Sequence, residues 1–70
     1  MERVLVEVAA KDRMWEVRFR GELVAREADP VRAFDRADSL ARLHHRIHRV
    51  PTGVRMLDER GMPFIHSDWD

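Results

Sequence analysis

The segment closed off by Pro30 and Pro51 constrains this chain more than any other. The carboxylate of Asp29 suits an N-cap, where it accepts from free N–H groups of the first helical turn. Pro30 then falls at the first helical position, where its missing N–H costs nothing. Pro51 disfavours α backbone at Val50 and so ends the helix. At about 100° per residue, Ala33, Phe34, Ala37, Leu40, Ala41, His44, Ile47 and His48 share one face. Arg32, Asp35, Ser39, Arg42, Arg46 and Arg49 share the opposite one. The spacing predicts one amphipathic helix over Asp29–Val50, whose apolar stripe needs a second layer to cover it.

The remaining segments supply that layer as strands. Val4, Val6 and Val8 alternate with Leu5 and Glu7, and Lys11-Asp12-Arg13 reads as a hairpin loop. Trp15, Val17 and Phe19 alternate with Glu16, Arg18 and Arg20, which gives one bulky face and one charged face. Gly21-Glu22 forms either a two-residue turn before a short third strand, Leu23–Glu27, or a bulge in one longer strand. After Pro51, Thr52-Gly53 reads as a loop and Val54–Asp58 as a strand. Glu59-Arg60-Gly61 makes a turn, and Met62–Ile65 is the hairpin partner, held to a sheet edge by Pro63. His66–Asp70 is expected as a polar tail.

The predicted order is β-β-(β)-α-β-β. This is an α+β fold: a single antiparallel β-sheet of four to five strands with one α-helix packed on one face. Residues 1–70 make one two-layer domain. Its expected core joins Val4, Val6, Val8, Trp15, Val17 and Phe19 to Phe34, Ala37, Leu40, Ala41 and Ile47. The alanines let the helix approach the sheet closely.

Trp15-x-Val17, Gly21, Ala33 and Ala37, Gly53-Val54 and the Arg60-Gly61 turn resemble a family of short bacterial proteins. That family is known as a domain of unknown function and has a strand-strand-helix-strand-strand layout. The resemblance runs from Val4 to Phe64 and implies the fold. It implies no catalytic residues. Arg60 stands where the family usually has Asp, and the four histidines lie outside its pattern.

Composition narrows the functions. Thirteen basic residues balance thirteen acidic ones, unlike a domain devoted to non-specific nucleic-acid binding. All the basic residues but Lys11 are arginine. No cysteine is present, so neither a disulfide nor a thiolate metal site supports so small a core. Met1–Glu7 lacks the apolar run of a signal peptide, and no stretch approaches the roughly 18 apolar residues of a membrane span. A cytoplasmic protein without membrane contact is expected.

No catalytic residues are predicted, and no cofactor. His66-Ser67-Asp68 has the residue types of a triad, but consecutive residues cannot place the base between nucleophile and orienter. His44 and His48, at i and i+4, are weak metal candidates; His45 neighbours them, and His66 or Asp68 would have to add a third ligand. The expected function is a small non-enzymatic interaction module acting by protein–protein binding with an unidentified protein or a second copy. Self-association is expected through the sheet, at Leu5, Met56, Leu57 and Ile65, ringed by Glu and Arg. The alternative is a nucleic-acid-binding accessory protein using the stripe Arg32, Arg42, Arg46 and Arg49.

Overall fold

The computed structural model describes residues 3–70. Its elements run β1 (Val4–Lys11), β2 (Met14–Phe19), β3 (Glu22–Glu27), α1 (Pro30–His48), β4 (Thr52–Leu57) and β5 (Pro63–Trp69). The helix starts as its sequence demands: the Asp29 side chain accepts from Val31 N–H at 2.9 Å, and Pro30 opens the first turn. It ends at His48, two residues before Val50. Arg49 takes a left-handed φ of 53° and its N–H donates to the His45 carbonyl, a C-cap of the αL type. His45 Nδ1 donates to the Val50 carbonyl at 2.9 Å and ties down the exit of the chain.

The five strands form one sheet in the order β3-β2-β1-β4-β5. β1 pairs antiparallel with β2 but parallel with β4, so the sheet is mixed, not purely antiparallel. The reason is parity. β3 is a separate strand, so three strands precede the helix, which runs back across the sheet and leaves β4 pointing the same way as β1. With only two strands before the helix, β4 would have entered antiparallel.

The hairpin loops differ from expectation by one residue. Asp12 and Arg13 (φ 52° and 64°) join β1 to β2, and Lys11 belongs to the strand. Arg20 and Gly21 (φ 53° and 83°) join β2 to β3 in place of Gly21-Glu22. Two successive residues with positive φ match the right-handed twist of flanking strands. A bulge does occur, between Val17 and Arg18 and not at Gly21.

Val6, Val8, Val17, Val54 and Met56 meet Ala33, Ala37 and Ala41 in a closed core. Trp15, Phe19, Ala25, Phe34, Leu40 and Trp69 pack around it. Val4 is only half-buried, and Ile47, expected inside, is exposed. At about 1.5 Å per residue a 19-residue helix outruns strands of six to eight residues, which leaves its last turn without sheet beneath it.

Thr52 and Gly53 belong to β4 and are buried. A Cβ on Gly53 would come within 2.9 Å of the Ser67 carbonyl and 3.1 Å of Arg3 Cδ, so glycine there admits Arg3 across the strand. The expected polar tail is instead the end of β5. Ser67 Oγ and Trp69 Nε1 both donate to Asp38 Oδ1, at 3.1 and 2.8 Å, and bind the edge strand to the helix.

Candidate interaction surface

Side chains on a strand alternate between faces, and the register assigns each one. The sheet face away from α1 is a lattice of ion pairs. Arg18, Glu7 and Arg55 stand side by side on adjacent strands, with Arg55 Nη2 2.6 Å from Glu7 Oε2. Glu16 accepts from Arg18 at 3.0 Å and lies 3.8 Å from Arg26; the two guanidiniums leave it only 6% exposed. Arg3 donates to the Thr52 and Trp69 carbonyls and pairs with Asp68 and Asp70.

The four residues expected to make one self-association patch therefore lie in three places. Leu5 and Leu57 are half-buried on the charged face. Met56, in register with Val8, is 2% exposed inside the core. Ile65 is opposite Met56 and faces the helix side. Only Leu5 and Leu57 occupy the predicted surface, and there the charges are already matched within the chain. Desolvating such a face costs more than its few leucines return.

The histidines are similarly dispersed. His44 and His48 stack with ring centroids 4.4 Å apart, and His44 also meets the Phe19 ring edge-on at 5.2 Å. Burial lowers the His44 pKa from its ordinary 6.5, with further lowering from His48 and Arg20. His45 is occupied by the Val50 carbonyl. His66 and Asp68 alternate with Ser67, which faces the helix, so they lie on the far side of the sheet from His44 and His48. Among the described residues, no three His, Asp or Glu side chains come together in a metal-binding arrangement. His66-Ser67-Asp68 is likewise split between two faces, with the Ser67 hydroxyl donating to Asp38.

Arg32, Arg42, Arg46 and Arg49 are exposed along the helix, and among the described residues none of them pairs with a carboxylate. Arg36, which lies beside this stripe, pairs with Glu27 at 2.8 Å. The Arg42 guanidinium stands 6.0 Å from the centre of the Trp69 ring.

One surface was not anticipated. Between the start of α1 and the start of β5 lies an open groove of about 420 Å³, lined only by apolar residues. Pro30, Val31 and Phe34 form its helical wall, and Phe64 and Ile65 form the opposite one. Trp15 closes one end, its ring 6.2 Å from that of Phe64, and Met56 lies at the floor. Val31, Phe64 and Ile65 are 65%, 52% and 46% exposed, and Met62, 60% exposed, precedes β5.

The groove depends on an irregularity. The register of β4 on β5 shifts between Met56 and Leu57, so Phe64 has no partner residue of its own. Strict alternation sends one of Phe64 and Ile65 to each face. The bulge lets both line the groove, and the alternating pattern of the sequence carries no sign of it.

Comparison with protein-family models, with curated proteins and with solved structures found no match.

Proposed function

We propose that this chain is a small, non-catalytic, cytoplasmic interaction module that binds another protein through the groove between α1 and β5. The observation that carries this is a concave surface without a polar lining residue on a chain that is otherwise more than one-third charged. Apolar area of this kind, bounded by polar residues, is characteristic of protein-binding surfaces. Several polar groups are committed to structure: Ser67 and Trp69 to Asp38, His45 to the chain exit, and Glu7 and Glu16 on the far face to arginines. No helix among the described residues is long and apolar enough to cross a membrane.

A photoreactive side chain placed at Val31 in the living cell tests the proposal, with the same group at Leu5 as control. Capture of a protein from Val31 and not from Leu5 is the expected result. Equal capture, or none at Val31, removes the groove as a docking surface.

A second function, nucleic-acid binding, draws support from the stripe Arg32, Arg42, Arg46 and Arg49, none of which pairs with a carboxylate among the described residues, and from Trp69 beside Arg42. Backbone-tracking cations next to an aromatic ring suit a single strand. A gel shift at low salt decides it. No shift with DNA or RNA at tens of micromolar protein ends this proposal, as does a shift that Arg42→Glu/Arg46→Glu leaves unchanged.

A further inference from the structure

We infer that the occupant of the groove is a second copy of this chain, the two grooves closing on one another across a two-fold axis. This rests on the reading of the groove as a protein-docking surface.

Three segments border the groove, and each bears both acidic and basic side chains. The β1–β2 hairpin end, which leads into Trp15, carries Asp12 between Lys11 and Arg13. The start of α1 carries Asp29 and Arg32 on either side of Pro30 and Val31. The turn before β5 carries Asp58 and Glu59 beside Arg60. An isologous contact sets a surface against itself, so a border of one sign would repel its own copy. A border in which every segment carries both signs is self-complementary. A partner of strong single charge would find as many repulsive as attractive groups.

The backbone points the same way. β5 is an edge strand, and no charged side chain interrupts it from Pro63 to Ser67. The other edge, β3, carries Glu22, Arg26 and Glu27. Pro63 and the bulge at Phe64 blunt the start of β5, so what distinguishes the edge beside the groove is its lack of charge from Phe64 to Ser67. A second copy approaching there meets open backbone groups and an apolar hollow together.

The accessible surface is 5118 Å², and a standard interface takes about 800 Å² from each partner, near one-sixth of it. Val31, Met62, Phe64 and Ile65, all roughly half exposed or more, would form its centre.

Light scattering on the purified protein from about 10 to 100 µM tests the inference at concentrations suited to such an interface. The expected mass is twice 8.3 kDa at the upper end. Val31→Asp and Phe64→Glu should each weaken association at least tenfold, whereas Leu5→Arg and Arg46→Glu should leave it unchanged. Val31 is an exposed residue of the first helical turn, where Asp is well tolerated, so this variant stays folded even if Phe64→Glu does not. Arg60→Glu, which turns one border segment wholly acidic, should weaken the dimer several-fold. A mass of 8.3 kDa throughout, or a dimer dissociated by Leu5→Arg but not by Val31→Asp, overturns the inference. If the protein is monomeric while the photoreactive group at Val31 still captures a different protein, the second copy is excluded and the docking surface stands. If neither occurs, both fall.

Discussion

Arg13 sits at φ 64° in a two-residue loop, where its Cβ crowds the following carbonyl. Asp12 before it tolerates the left-handed region, and glycine is the usual residue at the second position of such a loop. Arg13→Gly should therefore raise stability by about 0.5–1 kcal/mol, the relief of roughly 1–2 kcal/mol being partly offset by the greater freedom of glycine in the unfolded chain. A urea denaturation midpoint that fails to rise at unchanged slope would contradict this. His44 acts in a different way. Its folded pKa is lowered, first by burial and then by His48 and Arg20, so the unfolded chain takes up that proton more readily. The contribution of His44 to stability is complete above its ordinary pKa of 6.5 and is lost as pH falls through that value toward the lower folded one. Acidification from about pH 7.5 to 5.5 should cost the native sequence more stability than it costs His44→Gln. Equal losses would remove His44 as the source.

At the level of elements, Asp38 was the residue with most to add to its sequence pattern. On the helix alone it precedes Arg42 by four residues, an ordinary solvent-exposed pair worth a few tenths of a kcal/mol. In the fold one of its oxygens receives both Ser67 and Trp69 and so holds β5 against α1. Asp38→Ala leaves those donors half-buried and unpaired, at a cost of about 1–3 kcal/mol. Amide exchange should quicken along β5 before it does along β1. Uniform acceleration would mean that Asp38 does not dock the strand. The helix and the first two strands were legible because prolines, an N-cap and clean alternation each specify local backbone. The direction of β4 was not, because its sequence reads the same in a parallel or an antiparallel pair. It followed from whether Glu22–Glu27 was a strand of its own, which the turn chemistry at Gly21 left open. The groove was illegible for a related reason. It requires a bulge at Phe64, and a bulge changes which side chains share a face without changing the residues themselves.

For the molecule as a whole, the helix contributes three fully buried alanines and the sheet four valines and Met56 to the closed core. So thin a core in a chain of this size buries only about 60% of the surface that its unfolded form exposes, and leaves little margin of stability. Pairing two copies through the groove would cover apolar side chains that the single chain leaves in water, Val31, Met62, Phe64 and Ile65 among them. Association then becomes part of folding stability, and stability depends on protein concentration by mass action. A hundredfold increase in concentration favours a folded dimer over two unfolded chains by about 2.7 kcal/mol. Spread over the unfolding entropy of both chains, roughly 2 cal/mol/K for each residue, this raises the melting midpoint by roughly 5–10 °C. Scans between about 1 and 100 µM should show that rise for the native sequence and a flat midpoint for Val31→Asp. A native midpoint that does not move with concentration would mean that the thin core stands alone.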